Sequence, residues 1–129
     1  MDLVDLAARH ARWANQTSIG IEIANPIHLN AGKDGDGRDL VEEGKPHTGN
    51  EVWQYLGFTQ LQKDMISKLV SAICESVGIP KRLPRDGNGE VYKDLMPEPH
   101  QYQGVLGHYH LQLDKVDPGY SLWPLLTDF

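Results

Sequence analysis

GHYHLQLDKVDPG, residues 107–119, sets two histidines two residues apart, then a lysine and an aspartate two apart, then a proline-glycine turn. Two readings compete for it. In the first, His108 and His110 lie on a strand and project to one face, and Asp117 folds back toward them through the turn. Imidazole nitrogen and carboxylate oxygen are donors that zinc takes in hydrolytic sites, where one position stays open for water. In the second, the stretch is a polar strand, and Asp117 merely starts an Asp-Pro-Gly turn. Spacing alone does not choose between them, because no fixed-spacing zinc motif such as HExxH is present.

Working outward, QGVLGH (residues 103–108) predicts a short strand leading into this stretch, and YSLWPLL (residues 120–126) a brief C-terminal helical turn. Residues 81–100, rich in Pro, Gly and charge, read as a loop, with RDGNGE at 85–90 as a glycine turn. The firmest helix covers residues 60–77. Thr59 and Gln62 match a capping box. Leu61, Met65, Ile66, Leu69, Val70, Ile73 and Val77 recur at helical spacing, and Gly78 and Pro80 supply the stop. TSIGIEIA, residues 17–24, alternates Ile19, Ile21 and Ile23 with smaller or polar residues, the period of a strand with one face in a core; Glu22 then points the other way. Asn25-Pro26 ends that strand, since Pro26 cannot donate to a ladder. Residues 30–50, glycine-rich and poor in apolar residues, read as a long surface loop.

The 129 residues suit a single domain, 1–129. With 40% hydrophobic and 23% charged residues the chain has the composition of a folded domain rather than a disordered one. A net charge of −6 offers no footprint for nucleic acid or an anionic membrane. No run approaches the roughly 18 apolar residues of a membrane span. The opening MDLVDLAARHAR is amphipathic and does not resemble a secretion signal. The lone cysteine, Cys74, lies among apolar residues and is expected to be buried. Two clear strands cannot make a stable sheet by themselves, so further strands are expected to join them.

Several polar residues admit a bland and a chemical role. Glu22 is a solvated residue on an open strand face or a carboxylate aimed at a groove. Lys115 is a surface cation or, two residues from Asp117, a group placed to stabilise an oxyanion. The run KDGDGRD invites a calcium loop and fails as one: counted from Asp34, the sixth position is Asp39 instead of Gly and the twelfth is Lys45 instead of Glu.

Three segments, NQTSIGIEIAN, TQLQKDMISKLVSAICESVGIP and GVLGHYHLQLDKVDPGYSLWPLL, resemble in order and separation the signature segments of the zinc-dependent N-acetylmuramoyl-L-alanine amidases of the peptidoglycan recognition protein fold. The resemblance runs from about His10 to Trp123 and is interrupted by residues 30–50 and 81–100. It implies an α/β domain with a mixed central β-sheet flanked by helices, Zn2+ as cofactor, and peptidoglycan or muropeptide as partner. Carried over, it makes His108 and Asp117 zinc ligands, Lys115 the lysine that stabilises the tetrahedral intermediate, and Glu22 the carboxylate that activates water. His10 and Asn15 would line the substrate groove, and His110 matches no ligand of the family. The family's first ligand, a histidine on an opening strand well ahead of the SIGIE segment, has no counterpart here. The N-terminal strands are therefore expected to be missing. The implied activity is hydrolysis of the amide between N-acetylmuramic acid and L-alanine, with a non-catalytic peptidoglycan-binding module of the same fold as the alternative.

Overall fold

The computed structural model describes residues 10–25 and 38–126. The predicted helix forms with its predicted ends. Helix α1 spans Gln60–Val77; the Gln62 amide donates to Thr59 Oγ1 at 3.2 Å, and Thr59 N–H donates to Gln62 Oε1 at 2.9 Å. These reciprocal bonds satisfy two of the four amides that a helix start leaves orphaned. At the other end Gly78 takes a left-handed φ of 72° and donates to the Cys74 carbonyl. Glycine adopts that conformation without a Cβ penalty.

The apolar stripe of α1 divides into two rows. Ile66, Val70 and Cys74, each four residues apart, face a core completed by Phe58, Leu83, Tyr109, Leu122, Trp123 and Leu126. Leu61 (71% exposed), Met65 and Leu69 stay outside it. Cys74 is buried as expected, and desolvation raises its thiol pKa. The C-terminal turn also forms, as a 3₁₀ segment over Tyr120–Leu126 that packs against α1.

Three of the sequence expectations are corrected. Residues 17–24 carry the predicted alternation but form no strand. Residues 103–107 are likewise irregular, and His108–His110 form a 3₁₀ turn. The supposed loop at 30–50 instead contains strand β1, Leu40–Gly44, which pairs antiparallel with β2, Val52–Leu56, in register Leu40↔Leu56 to Gly44↔Val52. Among the described residues the sheet is this two-stranded hairpin, in place of a central sheet built on the predicted strands. Its bend is closed by Lys45 N–H to the Glu51 carbonyl at 2.8 Å, with His47 and Gly49 at positive φ. An isolated hairpin is marginal in water, and this one is anchored by side chains. Trp53 stacks on Tyr55 at 4.6 Å, Tyr55 Oη lies 2.7 Å from Ser121 Oγ, and the Glu43 carboxylate accepts the Tyr120 amide at 2.7 Å. Burial pushes the Tyr55 phenol up to about 12.

The RDGNGE turn is present: Asp86 Oδ1 accepts from the amides of Asn88 and Glu90, and Arg85 forms an isolated β-bridge with Val91. No helix among the described residues is long and apolar enough to cross a membrane. The opening residues 1–9, the predicted strand end at Pro26 and the part of the calcium-like run at 33–37 lie outside the described residues.

His110 belongs to the core. It is fully buried; its Nδ1 accepts the Gly107 amide at 2.8 Å, and its Nε2 donates to the Tyr92 carbonyl at 2.7 Å. A proton added at Nδ1 would displace the Gly107 bond inside an apolar surround. Desolvation accordingly pushes His110 down from 6.5 to about 4.

Two outcomes follow from these contacts. Thr59→Ala removes the cap acceptor and should lower unfolding stability by about 1 kcal/mol, read from urea midpoints at unchanged m-value. For His110 the unfolded chain takes up the proton first as pH falls. The stabilisation is therefore complete above about pH 6.5 and lost progressively toward pH 4, and His110→Gln should flatten that slope in thermal melts recorded with a chelator present.

Candidate functional site

The site is built on residues 107–120, and packing dictates its path. A Cβ on Gly107 would stand 2.8 Å from Pro118 Cδ and 3.0 Å from the Trp123 ring, so only glycine lets the chain pass beneath the Asp-Pro-Gly turn. The 3₁₀ turn at His108–His110 then reverses direction, and the Tyr109 amide donates back to the Asp117 carbonyl at 3.2 Å. The Asp117–Pro118 peptide is cis, and Gly119, at φ 81°, lies under the Tyr55 hydroxyl where a side chain would collide.

This fold-back brings together two of the predicted residues. His108 Nδ1 and Asp117 Oδ2 lie 3.1 Å apart, across nine residues of chain. With zinc–ligand bonds of about 2.0–2.2 Å in a tetrahedron, neighbouring donor atoms stand roughly 3.3–3.6 Å apart. At 3.1 Å the pair is at hydrogen-bond separation, a little closer than that, and it offers two donors where a catalytic zinc takes three protein ligands. His108 is mostly sheltered, and Asp117 is open to solvent at its carboxylate. Behind the imidazole, the side chain of Gln112, itself buried, places its amide nitrogen 2.8 Å from His108 Nε2. Among the described residues no cluster of three or more His, Cys, Asp or Glu surrounds a common point.

The other predicted residues take different positions. Lys115 is half-buried on the same loop, its amide bonded to the Gln112 carbonyl at 3.3 Å. His10 and Asn15 lie together: Asn15 Oδ1 accepts the amides of His10 and Ala11 at 2.9 and 2.7 Å, and His10 Nε2 is 2.8 Å from Ser18 Oγ. The Arg12 guanidinium reaches Asp114 Oδ2 at 3.1 Å and ties this segment to the site loop. Glu22 is exposed and lines a groove along α1 with Ile21, Ile23, Met65 and Leu69, a groove to which neither His108 nor Asp117 contributes. His110, offered by the strand reading as a companion to His108, has both ring nitrogens committed within the core and is not a ligand.

Three supports escaped the sequence reading. His47, on the hairpin bend, sits between Asp94 Oδ1 (2.7 Å) and the Tyr109 carbonyl (2.8 Å) and fixes the backbone beside His108. The bonds to Leu95 N–H and to His47 hold the Asp94 carboxyl below the usual range. Glu43 holds the far side of the Asp-Pro-Gly turn through Tyr120. Gln112 had a usable signal: a polar residue four after His108 contacts it if the chain turns, and does not if the chain is extended. Next to the loop, a cleft of about 810 Å³ is lined by Glu43, Lys45, His47, Lys93, Asp94 and Tyr120 among others.

No curated protein and no solved structure matches the chain. The model of the family described as N-acetylmuramoyl-L-alanine amidase, however, matches residues 2–120. That span takes in the whole folded-back loop with its histidine–aspartate pair, and the chain belongs to the N-acetylmuramoyl-L-alanine amidase family.

Proposed function

We propose that this chain, as a single amidase-like domain of the peptidoglycan recognition protein type, hydrolyses the amide between the lactyl group of N-acetylmuramic acid and L-alanine in peptidoglycan or muropeptides, with Zn2+ as cofactor. The observation that carries this reading is the His108–Asp117 pair, its donor atoms brought to 3.1 Å by the fold-back, within a chain of the amidase family. His108 and Asp117 would hold the metal. Zinc, when bound, polarises an amide carbonyl and lowers the pKa of water toward neutrality.

The chain's own residues carry the rest. Glu22 accepts a proton from the attacking water as its oxygen bonds to the carbonyl carbon, and returns it to the nitrogen as the C–N bond breaks. Lys115 supplies positive charge to the oxyanion that forms between those steps, where a fixed cation in a sheltered site acts more strongly than in water. His10 and Asn15 would line the substrate groove, carried on the segment that Arg12 ties to the site loop. The negative net charge leaves recognition of an anionic wall polymer to local groups in the groove.

A second reading, a non-catalytic peptidoglycan-binding module, is favoured by the position of Glu22 in the α1 groove, which the metal pair does not line. Incubating the chain with defined muropeptides and zinc, and following both binding and release of the lactyl-bearing sugar by mass spectrometry, separates the two. Cleavage supports the amidase, and retention without cleavage supports the module.

Glu22→Gln keeps shape and removes the base, so cleavage should be lost while zinc content stays at the parent value; normal turnover removes Glu22 from the mechanism. Lys115→Ala should lower kcat on the order of 10²-fold or more with KM little changed. A rise in KM alone would make Lys115 a substrate-binding residue instead.

A further inference from the structure

Glu43, Lys45, His47, Lys93 and Asp94 all line the cleft of about 810 Å³ beside the site loop, and four of these five ionisable side chains are committed within the fold. His47 lies between Asp94 Oδ1 at 2.7 Å and the Tyr109 carbonyl at 2.8 Å. Lys45 Nζ pairs with Glu51 Oε1 at 3.0 Å, and Glu43 Oε1 accepts the Tyr120 amide at 2.7 Å. The fifth, Lys93, is exposed and makes no ion pair among the described residues. Its ammonium stands 5.6 Å from the centroid of the Tyr120 ring. An ammonium carries three donors and no acceptor, and a ring face attracts its charge without satisfying the donors that point away from the ring.

The Lys93 charge is held in place. Tyr120 Oη donates to the Lys93 carbonyl at 2.8 Å, so the ring that lies under the ammonium also ties down the backbone that carries it. Leu113, 67% exposed, lines the same cleft from the site loop. The volume suits a drug-sized molecule or a short peptide. The walls therefore offer one open cation, one aromatic ring and one exposed aliphatic side chain. Glu43 and Asp94 in the same lining repel a ligand that carries several negative charges. A single carboxylate on a partly apolar chain matches this lining.

We propose that the cleft is a subsite for a peptide carboxylate, with Lys93 as the specificity-determining residue that receives it and Leu113 and Tyr120 as walls for the peptide's side chains. The inference rests on the amidase reading above for the ligand being a peptide. Leu113 precedes Lys115 by two residues and Tyr120 follows the Asp-Pro-Gly turn directly, so the cleft borders the loop that carries His108 and Asp117. A muropeptide with a free peptide carboxyl is then preferred over one whose carboxyls are amidated.

The test uses the full chain with a chelator present, so that binding is read without cleavage. Calorimetric titration with an N-acetylmuramoyl tripeptide, and with the same molecule bearing carboxamides in place of its carboxyls, should show the free acid binding on the order of 10-fold more tightly. Lys93→Met should bring both forms to the affinity of the carboxamide, and Lys93→Arg should keep most of the preference. Lys45→Met, which removes an ammonium already paired, should leave the preference unchanged. A parent chain that binds both forms alike, or a Lys93→Met chain that keeps the preference, overturns this inference and leaves the amidase reading standing, because the muropeptide still binds. Inorganic phosphate that displaces the free acid at comparable concentration makes the cleft a general anion site and overturns the peptide assignment. Binding of neither form overturns the inference, and cleavage of the tripeptide after zinc is added then decides whether the amidase reading survives it.

Discussion

Tyr109 occupies the one position on which both halves of the site depend. Its side chain has 0% exposure, and its hydroxyl accepts from Trp123 Nε1 at 2.8 Å and donates to the Tyr92 carbonyl at 3.0 Å. Its amide donates to Asp117 and its carbonyl accepts from His47. Each hydrogen-bonding group of the residue between His108 and His110 is thus tied to a different part of the chain: the C-terminal turn, the 84–95 loop, the Asp-Pro-Gly turn and the hairpin. Burial pushes the phenol pKa well above its ordinary value, so the hydroxyl stays a neutral donor over the physiological range. Rigid placement of the His108–Asp117 pair needs support from fully satisfied neighbours, and Tyr109 supplies it from the core side.

The helix was legible because its determinants are local. Thr59, Gln62 and Gly78 act within one turn of the ends they define, and no distant partner is needed for them to work. The strands were not legible, for the converse reason. Alternation in TSIGIEIA reports that one face is apolar, but a strand exists only where a second strand completes its ladder. In LVEEG the alternation is weak, and the strand forms because VWQYL, rich in β-formers, folds back on it and because Glu43 has a partner in the Tyr120 amide. Neither fact lies within the five residues themselves.

The site was legible to a similar depth. His108 and Asp117 could be paired from the Asp-Pro-Gly turn and from the family resemblance, and the structure places their donor atoms 3.1 Å apart. His110 was misplaced because the strand reading puts residues i and i+2 on one face. A 3₁₀ turn repeats every three residues, so i and i+2 point to different sides, and His110 goes inward while His108 stays nearer the surface. The same difference hid Gln112. Four residues along an extended strand lie beyond side-chain contact, whereas the turn brings Gln112 behind the His108 ring.

The two chemical roles of the proposal therefore rest on different parts of the molecule. The His108–Asp117 pair is fixed by Gly107, Tyr109 and Trp123, residues packed under the α1 core, and needs no contribution from residues 18–25 to hold its spacing. Glu22 is carried by residues 18–25, held at the start by Ser18, whose hydroxyl donates to the Ala14 carbonyl and lies 2.8 Å from His10 Nε2, and at the finish by the Gln62 side chain, which donates to the Ala24 carbonyl, and by Asn25, which bonds the Leu56 carbonyl. Those anchors lie at the two ends of the segment, and Glu22 between them lines the groove beside Met65 and Leu69. A general base acts only from within hydrogen-bond reach of the water it deprotonates, and a displacement of about 1 Å can cost 10²-fold in rate. On the proposed reading, metal affinity would be a property of the core, while turnover would depend on how residues 18–25 are held.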